Sequence, residues 1–227
     1  PAGALFFRDR PEAFGLVPDG KAIQPDDRAS KEANVPLHVA RRKVIFWLVT
    51  AGGVCVSALG TGLMFHHFSI MAQYGLDRSA AALLFLPLGV ATAAANLGAG
   101  YVVDRFRPDY VLVTMTTLLA GVLLCLPLIS GTRGVWLYGA AFGLAQGMQG
   151  NLVGSAYAYY FGRAHIGAIK GFAQTIFVGG AALGPIVYGV GFDLFGSYTP
   201  FLMFTALAPL SVAVGSFIHQ LRKRSRR

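Results

Sequence analysis

From residue 44 onward the chain alternates between long apolar runs and short polar breaks. Six runs stand out, with approximate ends 44–72, 80–103, 110–130, 134–161, 167–194 and 198–221. At about 1.5 Å per helical residue, each is long enough to cross roughly 30 Å of hydrocarbon. No run alternates with a period of two, so the pattern predicts helices and not barrel strands. The breaks QYGLDRS, DRFRPDY, SGTRG, FGRAHIG and FGSYT are short, which makes consecutive segments antiparallel neighbours. Residues 1–43 are polar and rich in proline and charge, apart from an apolar patch at 1–7 that reads as the tail of a preceding helix. The expected layout is a loop at 1–43, a six-helix domain at 44–221 and a basic tail at 222–227.

The composition agrees with a membrane protein. Only 13% of the 227 residues are charged and 55% are hydrophobic, against roughly a quarter charged in soluble domains. Cys55 and Cys125 both lie in apolar runs and read as small packing residues, neither a disulfide nor a metal pair. The formal net charge of +9 could suggest a nucleic-acid partner, but the location of the charges points to topology. Six crossings put both ends of the chain on one side. Of the nineteen Lys and Arg, all but Arg78 and Arg133 fall on that side. By the positive-inside rule both ends are cytoplasmic, and the tail LRKRSRR anchors at anionic lipid. The expected setting is a multi-pass protein of the cell membrane, with the lipid bilayer as partner and no nucleic acid.

An internal repeat runs through the six segments. Trp47 and Trp136 stand 89 positions apart, and so do Gly100 and Gly189, Asp104 and Asp193, and Phe106 and Phe195. Segments 1 to 3 thus resemble segments 4 to 6. Three spans per copy place the second copy upside down, the inverted repeat common in secondary transporters. The expected fold class is an all-α membrane protein, six transmembrane helices as a 3+3 inverted repeat.

Polar residues inside the spans are the candidate site: Asn96, Gln146, Gln149, Gln174, His66 and His67. Intramembrane amides face protein or a water-filled cavity, either bonding between helices or contacting solute. Adjacent His66 and His67 cannot share a helix face, so one is expected toward the cavity and one toward the interface. Tyr157, Tyr159 and Tyr160 read as interface anchors. Glycines at 139, 143 and 147, and again at 180 and 184, form stripes that let helices approach closely and slide. Pro185 is expected to kink its helix. No Ser, His, Cys or carboxylate constellation suits catalysis, so no enzyme, cofactor or metal is expected.

The turn GYVVDRFRPD, with Gly100, Asp104 and Arg105, resembles the loop signature of the major facilitator superfamily. FGRAHIGAIKGFAQTIFVGGAALGPIVYGVGFDLFGSY, with Gly184, Pro185 and the terminal Asp193, resembles that family's penultimate helix. KVIFWLVTAGG is similar to the start of its seventh helix, and RPEAFGLVPDG to its central loop. The resemblance covers the whole chain but only the C-terminal half of a transporter, nearest the monocarboxylate and oxalate-formate carriers. It implies a symporter or antiporter of a small organic solute, worked by alternating access against an N-terminal six-helix half, with a coupling proton as a further option. It also implies that Gly100, Asp104, Arg105, Gly184, Pro185 and Asp193 serve gating, with Asp104 facing the start of the fifth helix near Gly167. A membrane receptor or scaffold on the same helices is the alternative, and a channel comes third. The branch holds an arginine eight residues before the signature aspartate, where this chain has Asn96, and a lysine deep in the penultimate helix, where this chain has Lys170 only at the start. Those departures weaken the carboxylate assignment.

Overall fold

The computed structural model describes residues 35–105 and 107–224, with the backbone alone for 99–105, 223 and 224. The described residues fall in one compact unit, Asn34–Arg227. Most of the expected loop at 1–43 lies outside the described residues.

Six long helices follow the six apolar runs: α1 Val44–Phe65, α2 Phe85–Arg105, α3 Pro108–Cys125, α4 Gly131–Phe161, α5 Ile166–Phe195 and α6 Leu207–Arg224. Short helical pieces extend them. His67–Gln73 continues α1 past a break at His66, Arg78–Ala82 leads into α2, and Tyr198–Thr205 leads into α6. The ends obey local chemistry. Pro108 opens α3, with Asp109 in its first turn beside the positive helix end. Gly162 and Gly196 end α4 and α5 at φ 77° and 65°, a region that side-chain-bearing residues avoid. α5 runs through Pro185 as one helix.

Among the described residues, five stretches are long and apolar enough to cross a membrane: Val44–Phe65, Arg78–Gly98, Pro108–Leu128, Ile166–Phe195 and Tyr198–Arg222. The exception is α4. It is the longest helix at 31 residues, but glycine, glutamine, asparagine and tyrosine dilute its apolarity. α4 packs against α1, α2, α3 and α5, and a helix covered by protein needs less apolar surface than one facing lipid.

The helix pairings carry the repeat. A shift of 89 residues takes α1 to α4, α2 to α5 and α3 to α6. The two most extensive pairings are α2 with α4 and α1 with α5. The shift exchanges them. It also turns α3–α4 into α6–α1 and maps α3–α6 onto itself, and all of these pairs are in contact.

The register agrees residue by residue. A Cβ added to Gly143 would stand 3.0 Å from the Ala91 Cβ, and one added to Gly147 would stand 2.6 Å from the Ala95 Cβ. Across the α1–α5 seam, a Cβ at Gly180 would stand 3.2 Å from Val54. One at Gly184 would stand 3.1 Å from the Gly62 nitrogen and closer still to the Ala58 carbonyl oxygen. The position pairs 91/143 and 95/147 become 180/54 and 184/58 under the 89-residue shift. The two seams are therefore the same packing built twice. Trp47 and Trp136 obey the same relation: each begins the first helix of its repeat and is nearly half exposed, at 47% and 44%. Inversion sends them to opposite membrane interfaces, where indole rings settle.

Candidate functional site

The centre of the bundle is the crossing of α1 and α4, the first helices of the two repeats. The glycines of α1 leave room for amide side chains from α4. Gln149 Nε2 donates to the Gly53 carbonyl (2.9 Å) and to Ser57 Oγ (2.7 Å). The Gln146 amide lies over Gly60, where a Cβ would meet its Oε1 and Nε2 at 3.4 Å. Ser57 and Gln146 are repeat equivalents, and so are Gly60 and Gln149. The two contacts are thus one contact seen from both ends of the internal two-fold axis. Both glutamines remain partly exposed.

Asn96 stands on the neighbouring seam and is exposed. Asn151 Nδ2 donates to its carbonyl and to its Oδ1, at 3.3 Å each. These bonds are long, and the Asn96 amide nitrogen makes no hydrogen bond to a described residue. Gln174 is exposed on α5 and makes no side-chain hydrogen bond to a described residue.

The two histidines part company. His67 is buried, with Nε2 donating to the Ala81 carbonyl at 2.9 Å and its ring beside Tyr138 and Phe85. This ties His67 to the lead-in of α2 and takes it out of the cavity. The expectation that one histidine sits at the interface fails here, because burial against a carbonyl satisfies the ring inside the protein. His66 is half-buried at the break of α1. Its Nε2 donates to the Pro185 carbonyl (3.0 Å) and its Nδ1 lies 3.1 Å from the Tyr198 hydroxyl. The six candidates thus fall into separate groups: Gln146 and Gln149 on the axis, Asn96 on the α2–α4 seam, His66 and His67 at one end, and Gln174 on α5.

Two polar clamps close the ends of the bundle. In the first, Gln73 Nε2 donates to Ser197 Oγ (2.8 Å), and its Oε1 accepts from the Tyr198 backbone N–H (2.9 Å). Tyr74 and Thr199 share a hydroxyl bond of 2.9 Å, and the Tyr198 hydroxyl donates to Ser69 Oγ at 3.2 Å. In the second, Asp109, only 2% exposed, accepts from Arg107 Nη2 at 2.6 Å and from the Tyr160 hydroxyl. The first clamp joins the end of α1 to the lead-in of α6. The second joins the end of α4 to the start of α3. Under the repeat these are the same place, and Asp109 and Tyr198 are equivalent positions.

The clamps correct the reading of the tyrosines. Tyr159 is exposed, at 55%, as an interface anchor should be. Tyr157 is buried and shares a 2.8 Å bond with Thr50, and Tyr160 serves Asp109. Three tyrosines within about one turn of helix point in different directions, so a cluster of aromatics in sequence need not act as one belt. Gly184 and Pro185 stand on the α1–α5 seam, where Pro185 receives His66. Asp193 is exposed in the last turn of α5. The side chains of Gly100, Asp104 and Arg105 lie outside the described residues.

No curated protein matches the chain. The family model of the Major Facilitator Superfamily does match, in two overlapping stretches, residues 2–185 and 50–226. Together with membrane-length helices and the 89-residue repeat, that match establishes a multi-pass membrane protein that belongs to the major facilitator superfamily, a family of secondary transporters.

Proposed function

We propose that this chain is the C-terminal six-helix half of an alternating-access transporter for a small organic solute, of the monocarboxylate carrier-like branch. The observation that supports it best is the internal two-fold: equivalent glycine-tight seams hold α1 to α5 and α2 to α4, and an equivalent clamp stands at each end. Breaking one clamp while keeping the other opens one face at a time, which is what alternating access needs. α2 and α5, equivalent under the repeat, each bury only 22% of their apolar stretch. An N-terminal half would cover the faces they leave bare. In this reading residues 1–43 form the central cytoplasmic loop, 44–221 the domain and 222–227 a basic cytoplasmic tail of a cell-membrane protein. Asp104 is assigned to the cytoplasmic closure, with Gly100, Arg105, Gly184, Pro185 and Asp193 as further gating positions.

The solute site is assigned to the α1–α4 crossing, with Gln146 and Gln149 as polar contacts there, and Asn96 on the α2–α4 seam and Gln174 on α5 as further contacts. His66 is the candidate for a coupling proton, held at the break of α1 between the Pro185 carbonyl and the Tyr198 hydroxyl.

Topology is tested with single cysteines at Thr132 and Arg224 in a cysteine-free background. They are expected to label from opposite sides of the membrane. Reaction of both with an impermeant reagent from outside refutes the proposed orientation.

Asn96 offers a neutral amide where related carboxylate carriers hold a cation. A dianion would meet a large desolvation cost with no charge from this half to offset it. The full-length protein is therefore expected to take solutes that are neutral or singly anionic, and Asn96→Ala is expected to lower uptake more than expression. A competition panel of dicarboxylates, monocarboxylates and neutral analogues decides it. Selective inhibition by a dicarboxylate, with normal uptake by Asn96→Ala, would overturn the assignment.

A further inference from the structure

Between the start of α1 and the end of α6 lies a cavity of about 420 Å³. Its polar wall is Lys43, His219 and Arg222, and its apolar wall is Val44, Ile45 and Ile218. The cations come from two helices that are far apart in sequence. The ion pair present among the described residues, Arg107 with Asp109, is at another site, so no carboxylate among the described residues pairs with Lys43 or Arg222. Lys43 does lie 6.0 Å from the Phe161 ring, a contact that leaves its ammonium free to hold an anion as well.

The repeat supplies an internal comparison. The equivalent groove, between α3 and α4, also forms a cavity, of about 890 Å³. Gly134, Leu126, Ile129 and Ser130 line it, and these are the equivalents of Ile45, Gly215, Ile218 and His219. That groove has no charged residue in its wall. The groove is thus a product of the fold. Lys43 and His219 have Thr132 and Ser130 as their equivalents, and Arg133, the equivalent of Arg222, does not line the second groove, so the basic wall belongs to one copy.

We infer that the α1–α6 groove binds one anionic phospholipid, its phosphate held by Lys43 and Arg222 with His219 beside it. The apolar wall selects lipid over a soluble anion. Val44 is 65% exposed and Ile218 43%, next to the cations. A free phosphate would leave both bare, whereas a lipid covers them with its acyl chain and fills the head of the groove with its charge. Basic pockets between helices at a membrane surface take anionic headgroups on these grounds.

The test is native mass spectrometry of the purified full-length protein in mild detergent, with equal amounts of phosphatidylglycerol and phosphatidylcholine of matched chains. A single retained phosphatidylglycerol is expected. The double variant Lys43→Gln/Arg222→Gln is expected to lower its preference over phosphatidylcholine about thirtyfold, the effect of losing two cations at a membrane surface. The exchange Lys43→Arg/Arg222→Lys should keep the preference, and so should Arg78→Gln/Arg133→Gln at the opposite end. Phosphatidylcholine adducts of wild-type abundance show that a variant is folded. An undiminished preference in the neutral double variant overturns the site. So does a loss of preference in the charge-keeping exchange, and so does displacement of the lipid by excess glycerol phosphate, which would mark a site for soluble anions.

Discussion

Gly184→Val is expected to cost the folded protein about 3 kcal/mol, near the top of the range for overpacking a tight core. The reason is the partner. A Cβ on Gly184 meets backbone atoms of Ala58 and Gly62, which cannot swing aside as a long side chain can. α1 and α5 must separate along the seam, and every contact between them loosens. Gly147→Val should act the same way on the α2–α4 seam, where a Cβ would stand 2.6 Å from the Thr92 carbonyl oxygen. Gly179→Ala is the control. It lies on α5 with nothing within 4 Å of the added atom, and should be neutral or slightly stabilising because alanine favours helix. Cys55 is buried, so as the sole cysteine it reports unfolding through its reaction with a thiol dye on heating. A Gly184→Val protein whose Cys55 becomes reactive at the wild-type temperature would show that the seam is looser than its backbone distances imply.

The second large effect is expected at Asp109. Asp109→Ala removes the acceptor of Arg107 and of the Tyr160 hydroxyl in one step. Tyr160 is only partly exposed, so its hydroxyl loses a charged partner where water is scarce, and Arg107, 31% exposed at its side chain, recovers part of its loss from solvent. The expected cost is about 2 kcal/mol. Asp109→Asn keeps an acceptor for Tyr160 and loses only the charge, so its cost should be less than half as large. Equal loss in the two variants would mean that the ion pair, and not the tyrosine, holds the clamp. The same thermal reaction of Cys55 measures both.

Much of this architecture could be read from the sequence. The six runs predicted six helices because hydrocarbon thickness fixes a minimum length that few soluble segments reach. The repeat could be read from scattered matches such as Trp47 with Trp136, since a repeat keeps its spacing after most of its residues have changed. The glutamines of α4 stood out because an amide inside a membrane must bond to something. What escaped was the clamps. Gln73, Ser197, Tyr198 and Thr199 lie in breaks between spans, where polar residues are expected for solvation alone. Asp109 hid among the charges of one turn, although only its carboxylate is shown to be buried there. A helical run of tyrosines looked like a belt because sequence order conceals angular position. α4 looked as apolar as its neighbours until its packing showed that it hardly needs to be.

The seams also bear on how such a sequence can drift. At both matched contacts the glycine belongs to the second copy: Gly143 and Gly147 on one seam, Gly180 and Gly184 on the other. The first copy supplies alanine or valine opposite them, at Ala91, Ala95, Val54 and Ala58. At Gly143, Gly147 and Gly184 an added Cβ would meet a carbonyl oxygen of the facing helix, which no change of the side chain opposite can remove. At Gly180 the near atoms are the Val54 and Ala58 side chains, so bulk there can be traded across the seam. Inheritance is therefore strict at three glycines and loose at the residues facing them, and the likeness between the halves wears away at the loose positions while their geometry is kept.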